Sequence, residues 1–117
     1  TVRVNYLRCD DARLRSLFAD DELEFDPGIL PGVYKVHSAG DMTRMRAFQN
    51  GLFTIQGESS VLAARMVGAK PGQTVLDACA APGGKSTQLA AKLAGCGLLV
   101  CNEIHPSLRM GYACAPR

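Results

Sequence analysis

The sequence lacks any apolar run long enough to cross a membrane, and no signal-peptide pattern opens it. Its five cysteines are odd in number and include no C-x-x-C pair. This usage argues against a disulfide framework and against a zinc site, because both depend on cysteines paired at characteristic spacings. Internal repeats and low-complexity segments are also absent. We therefore expect a cytoplasmic protein with reduced thiols, without a membrane partner and without a bound metal.

An excess of charge of one sign is missing as well. The formal net charge is only +2. Up to Leu52 there are seven Lys and Arg residues against eight Asp and Glu residues, and after it there are six against three. A basic footprint of the kind that marks nucleic-acid binding is therefore not visible in the first half of the chain. Charge alone identifies no partner.

Residues 1–52 read as a small α+β region. A strand is predicted at residues 2–7, and an amphipathic helix with an aspartate cap at residues 10–19. Turn residues follow at Asp26-Pro27-Gly28. Residues 33–36 then alternate like a half-buried strand.

Residues 53–117 read as the beginning of an α/β domain with a parallel sheet. Ser59 or Ser60 is expected to cap a helix that Gly68 stops. Only two further strands are predicted, on either side of a helix at residues 86–93. A parallel sheet needs both faces covered, and two strands with two helices are too few for that. The sheet is therefore interpreted as truncated and the chain as an N-terminal fragment of a larger protein.

Residues 74–86 are the most informative stretch, Thr-Val-Leu-Asp-Ala-Cys-Ala-Ala-Pro-Gly-Gly-Lys-Ser. A short buried strand ends at Asp77, a loop of small residues follows, and a helical segment begins near Ser86. This order typically forms a nucleotide-type site at the carboxyl end of a strand. Small residues allow a ligand to approach the backbone, and a positive φ is expected at Gly84.

Two phosphate-binding patterns fit this loop incompletely. A P-loop needs Gly, four residues and then Gly-Lys-Ser/Thr. The chain has Gly84-Lys85-Ser86, but Cys79 occupies the position of the first glycine. A dinucleotide fingerprint needs G-x-G-x-x-G, and the loop has only the adjacent pair Gly83-Gly84.

S-adenosylmethionine is the third ligand class that this geometry serves. Its amino group and its ribose hydroxyls call for acidic acceptors. Asp77 ends the first strand, and the apolar run from Leu98 leads to Glu103 at the end of the second. An acid at that second position holds ribose hydroxyls in folds of this kind. The two strand-end acids therefore favour an adenosyl ligand.

The loop resembles the cofactor motif of a known family. The run from Cys79 to Lys85, preceded by Val-Leu-Asp-Ala, is similar to that of the Sun/Fmu-type RNA cytosine-C5 methyltransferases. The similarity extends to residues 2–5, 51–56 and 102–106. It implies a Rossmann-like class I methyltransferase fold that binds S-adenosyl-L-methionine, preceded by an RNA-binding-like region. It further implies ribosomal or transfer RNA as the partner and a monomeric full-length enzyme.

The expected contacts to the cofactor follow from the motif and the two acids. Cys79 is expected to act through its backbone, and for Lys85 a direct contact and a solvated first-turn position are equally open. The predicted cofactor-binding residues are Asp77, Cys79, Ala80, Ala81, Pro82, Gly83, Gly84, Lys85 and Glu103.

The catalytic cysteines of the family have no counterpart in this chain. The family uses one cysteine in a Pro-Cys context and one in a Thr-Cys context, and neither context occurs here; Cys114 lies in Ala-Cys-Ala-Pro. In the complete enzyme, the resemblance implies, a cysteine thiolate adds to C6 of cytosine and makes C5 nucleophilic. We therefore expect no catalytic residue in this chain and no activity of the fragment alone. A P-loop-like nucleotide-binding protein and a non-catalytic RNA-binding module remain as alternatives.

Overall fold

The computed structural model describes residues 1–37 and 40–105. By internal contacts the chain divides into two compact units, Thr1–Ser59 and Ser60–Arg117. The helices and strands, besides a short 3₁₀ turn at Met42–Arg44, are β1 (Val2–Val4), α1 (Asp11–Asp20), β2 (Glu24–Pro27), β3 (Val33–His37), α2 (Arg46–Gln49), β4 (Phe53–Ile55), α3 (Glu58–Met66), β5 (Thr74–Asp77), α4 (Gly84–Leu93) and β6 (Leu98–Cys101).

The first unit is built on a four-stranded sheet in the order β2-β3-β1-β4. Each neighbouring pair is antiparallel. The predicted helix is confirmed as α1, and the Asp10 carboxylate caps it by accepting from the Arg13 backbone N–H at 2.8 Å. Leu14 and Phe18 of this helix are fully buried. Each such side chain contributes about 1.5–3 kcal/mol relative to exposure, so the apolar face of α1 holds the unit together.

The sheet of the first unit differs from the prediction at both edges. Glu24–Pro27 forms β2 where the sequence indicated only a turn, because the backbone of β3 pairs with it from Glu24↔His37 to Pro27↔Tyr34. At the other edge, β4 pairs with β1. By internal contacts the first unit runs to Ser59, whereas the sequence placed the boundary at residue 52.

Helix α3 begins at Glu58, before the predicted caps Ser59 and Ser60. The Glu58 carboxylate accepts a hydrogen bond from the Ile29 backbone N–H at 2.6 Å. Because this contact comes from a turn distant in sequence, the Ser-rich pattern could not indicate it. The end of the helix is as expected: Gly68 adopts a φ of +65° and donates its N–H to the Arg65 carbonyl at 3.0 Å.

The second unit contains the predicted strand–helix–strand order. Strands β5 and β6 are parallel, with Asp77 paired to Cys101 at their carboxyl ends. Gly97 leads into β6 with a φ of +127°, and a Cβ there would lie 2.5 Å from the Gln73 carbonyl oxygen. Only glycine tolerates this conformation and this approach. The chain is thus an α/β protein with parallel strands, as predicted.

Helix α4 is the buried element of this unit. Leu89 and Leu93 are almost inaccessible to solvent, and the buried Gln88 amide donates to the Val61 carbonyl of α3 at 3.1 Å. The two strands are less covered. The exposed fractions of Leu76, Leu98 and Val100 are 66%, 55% and 43%. Apolar side chains of the parallel strands therefore face solvent in the described part of the chain.

Candidate functional site

The two predicted acids lie at the same edge of the parallel sheet. Asp77 is the last residue of β5 and pairs with Cys101, the last residue of β6. Glu103 lies two positions after Cys101. The intervening Asn102 donates its backbone N–H to the Asp77 carbonyl at 2.8 Å. The carboxyl ends of both strands therefore converge where α4 begins, which is the position at which parallel α/β sheets bind ligands.

The loop after β5 is held against the end of β6. The Ala80 backbone N–H donates to the Asn102 carbonyl at 3.0 Å. The next residue, Ala81, donates its N–H to Glu103 Oε2 at 3.1 Å. The peptide bond that follows, Ala81–Pro82, is cis. The loop therefore has a defined path whose shape is set by bonds within the protein.

The Asp77 carboxylate is fixed from two sides. The Ser86 hydroxyl donates to Asp77 Oδ2 at 2.6 Å. The Cys79 backbone N–H donates to Asp77 Oδ1 at the longer distance of 3.3 Å. Ser86 is 1% exposed, and its hydroxyl also lies 3.3 Å from the Ala80 carbonyl oxygen. The carboxylate thus has one strongly bonded oxygen and one weakly bonded oxygen.

The amino end of α4 carries no side-chain cap. Its N-cap residue is Gly83, which has a left-handed backbone with a φ of 101°. Gly84 is the first residue of the helix itself, so the positive φ expected at Gly84 belongs to Gly83 instead. The first N–H groups of a helix have no partner within the helix and carry a partial positive charge. With a glycine cap, these donors are suited to an anionic group of a ligand.

Glu103 is ionised at neutral pH. The backbone N–H groups of His105 and Ala81 donate to its carboxylate and hold the pKa of Glu103 below its usual value of 4.5. The site therefore presents a second negative charge next to the loop. This charge suits hydroxyl groups or a cation and disfavours a polyphosphate.

The structure brings most of the predicted cofactor residues together around this loop. Asp77, Glu103 and the loop from Cys79 to Gly84 are linked by the bonds above, and Cys79 takes part through its backbone N–H while its thiol is exposed. Lys85 is half-buried in the first turn of α4. Ser86 and Asn102 also bond to Asp77 and were not among the predicted residues; the Gly-Lys-Ser run was the available signal for Ser86.

Metal-binding clusters and membrane-spanning helices are absent from the described residues. Across residues 1–37 and 40–105, no three His, Cys, Asp or Glu side chains are grouped so that they could hold a metal ion. Within the same residues, no helix is long and apolar enough to cross a membrane. Cys9, Cys79, Cys96 and Cys101 are free thiols. Cys114 and Pro106 lie outside the described residues.

Similarity to known proteins is consistent with this site. The chain is 39% identical over 105 residues to the "probable ribosomal RNA small subunit methyltransferase B" of Bacillus subtilis, covering 90% of this chain and 24% of that protein. It is 32% identical over 105 residues to a 25S rRNA (cytosine-C(5))-methyltransferase of Arabidopsis thaliana, covering 89% of this chain and 18% of that protein. A solved structure of a methyltransferase homologue from Pyrococcus horikoshii matches with a TM-score of 0.81 at 26% identity, covering 92% of this chain and 36% of that chain.

The chain spans about a quarter of the length of the Bacillus protein. No protein-family model matches it. The relatives nevertheless share a methyltransferase name, and the alignments run through both compact units. Over about 105 residues, the chain is therefore similar to the Sun/Fmu-type family of RNA cytosine-C5 methyltransferases.

Proposed function

We propose that this chain forms the S-adenosylmethionine-binding part of an RNA cytosine-C5 methyltransferase that acts on ribosomal RNA. One observation carries the proposal: the glycine-capped amino end of α4 opens beside two carboxylates, Asp77 and Glu103, at the ends of adjacent parallel strands. A zwitterionic amino acid joined to a ribose needs this combination of donors and acceptors. A phosphate chain does not.

Each part of the site matches one part of the cofactor. Asp77 accepts from the amino group, the open N–H groups of α4 receive the carboxylate, and Glu103 accepts from the ribose hydroxyls. The small residues Ala80 and Gly83 leave room for the ligand to approach the backbone. When bound, S-adenosylmethionine supplies an electrophilic methyl group. The residues of this chain bind and orient it.

The P-loop alternative is disfavoured by the orientation of Ser86. In a P-loop the corresponding hydroxyl coordinates Mg²⁺ and must face the phosphates. Here the hydroxyl of Ser86 is buried and donates to Asp77. Cys79 also replaces the first glycine of the P-loop. A triphosphate would meet two carboxylates and no hydroxyl for its metal ion.

We propose that β5, α4 and β6 begin a Rossmann-like class I methyltransferase sheet; the exposed Leu76 and Val100 suit strands that receive further cover. The unit Thr1–Ser59 would serve as its RNA-binding-like region. In the complete enzyme, a cysteine thiolate would add to C6 of cytosine. The sequence holds no cysteine in a Pro-Cys or a Thr-Cys context. We propose a cytoplasmic location, which suits a ribosomal RNA substrate. We also propose that the full-length enzyme is a monomer.

Competition binding tests the ligand class directly. Labelled S-adenosylmethionine and labelled ATP are titrated against the full-length protein and against a Cys79→Gly variant, which completes the P-loop spacing and leaves the rest of the motif unchanged. Cys79→Ser serves as the control, because Cys79 contributes its backbone N–H. We expect all three proteins to bind S-adenosylmethionine and none to bind ATP. Tight ATP binding with loss of S-adenosylmethionine would assign the site to the P-loop class.

A further inference from the structure

We infer that Ser86 is a positioning residue: its hydroxyl fixes the orientation of the Asp77 carboxylate so that one oxygen faces the amino group of the ligand. The inference deepens the proposed function and rests on it. Its basis is the 2.6 Å hydrogen bond from Ser86 Oγ to Asp77 Oδ2, made by a residue that is 1% exposed. A bond from a shielded hydroxyl to a carboxylate is among the stronger hydrogen bonds in proteins.

The geometry restricts an otherwise loose side chain. The terminal torsion of aspartate is broad, so an unrestrained carboxylate samples a wide range of plane orientations. Ser86 occupies Oδ2 at short distance, whereas Oδ1 receives only the Cys79 N–H at 3.3 Å. Oδ1 is therefore the oxygen with remaining acceptor capacity. The Ser86 hydroxyl lies on the first turn of α4, so the helix that binds the ligand also orients the acid.

Two properties distinguish this role from a purely structural one. The hydroxyl of Ser86 has a second acceptor, the Ala80 carbonyl oxygen at 3.3 Å, so the loop keeps part of its anchoring when Asp77 is changed. The effect of Ser86 on binding should also be confined to ligands that carry the amino group. A ligand that offers only the adenosine part makes no use of Asp77.

The test compares two ligands on the full-length protein. S-adenosylmethionine carries the amino group, and 5′-methylthioadenosine keeps the adenosine and the sulfur but lacks the amino acid part. We expect Ser86→Ala to weaken S-adenosylmethionine roughly three- to tenfold, as the loss of part of a charge-assisted hydrogen bond does. Its affinity for 5′-methylthioadenosine should stay unchanged. Ser86→Thr, which keeps the hydroxyl, should restore S-adenosylmethionine binding.

Thr87→Ala is the matched control, because it removes a hydroxyl from the same helical turn, where Thr87 Oγ1 donates to the Gly84 carbonyl at 3.1 Å. It should leave both affinities unchanged. In an Asp77→Ala background, Ser86→Ala should cause no further loss, since the oxygen that it orients is gone. Melting curves of all variants show whether a variant is folded.

Equal weakening of both ligands by Ser86→Ala would overturn the inference, because Ser86 would then support the loop as a whole. The inference would also be overturned if Ser86→Ala bound S-adenosylmethionine as tightly as the wild type while Asp77→Ala bound it poorly. A wild-type protein that binds neither ligand would instead refute the proposed function, and the role of Ser86 would fall with it.

Discussion

Replacing Asp77 by alanine is the sharpest perturbation of the proposed site. The change removes the acceptor of the Ser86 hydroxyl at 2.6 Å and of the Cys79 N–H at 3.3 Å, along with the charge proposed to meet the ligand. A hydrogen bond to a charged group contributes about 1.5–3 kcal/mol. We therefore expect S-adenosylmethionine to bind roughly ten- to a hundredfold more weakly.

The cost to folding should be smaller than the cost to binding. Ser86 is buried, but its hydroxyl keeps the Ala80 carbonyl oxygen within 3.3 Å and is not left without an acceptor. The loss of stability should therefore be about 1 kcal/mol, as for one ordinary hydrogen bond. Asp77→Asn separates the loss of stability from the loss of affinity, because the amide oxygen still accepts from Ser86 while the negative charge is lost.

Calorimetric titration of S-adenosylmethionine into the full-length protein measures the affinity, and circular dichroism with thermal melting checks the fold. The wild type is expected to bind more tightly than either Asp77→Asn or Asp77→Ala. An Asp77→Ala protein that melts normally and binds with wild-type affinity would refute the reasoning, because no other role is assigned to this carboxylate.

Two further predictions concern the loop and its acid. Gly83→Ala should cost about 1–2 kcal/mol of stability, because Gly83 has a φ of 101°. Gly84 lies at a helical position, so Gly84→Ala should melt like the wild type. In the same titration, Gly84→Ala should nevertheless bind S-adenosylmethionine at least several-fold more weakly. For Glu103, the folded-state pKa lies below 4.5, so the stabilisation from its bonds to Ala81 and His105 is complete above pH 4.5 and is lost as the pH falls through the lowered pKa. Binding measured down that range should weaken more steeply in the wild type than in Glu103→Gln, which lacks this titrating group; parallel acid profiles would contradict the assignment.

Local signals were sufficient for the part of the chain that carries the site. The strand β5, the loop and helix α4 follow one another within residues 74–93, and each boundary is marked by a residue with a local preference, such as Asp77 or Gly83. The cap of α1 is equally local, because Asp10 and Arg13 are one turn apart. Such features depend on neighbours in sequence, and their order was predicted correctly, although α4 begins at Gly84 and not at Ser86.

Features that depend on distant partners were missed. Strand β2 contains Pro27 and looks like a turn until β3 pairs with it. Helix α3 begins at Glu58, whose carboxylate accepts a hydrogen bond from the distant backbone N–H of Ile29. The role of Ser86 was hidden for a related reason: a sequence shows that a hydroxyl is present but not that it points to Asp77, nine positions earlier. Side-chain direction is a product of packing.

The bonds that hold the loop have a kinetic consequence. Ala80 and Ala81 are fastened to Asn102 and Glu103 by bonds made within the protein, so the shape of the loop does not wait for a ligand. A site ordered in this way has little conformational entropy left to lose on association. Binding should then proceed as a single step whose observed rate rises linearly with ligand concentration, without the plateau that a slow rearrangement imposes.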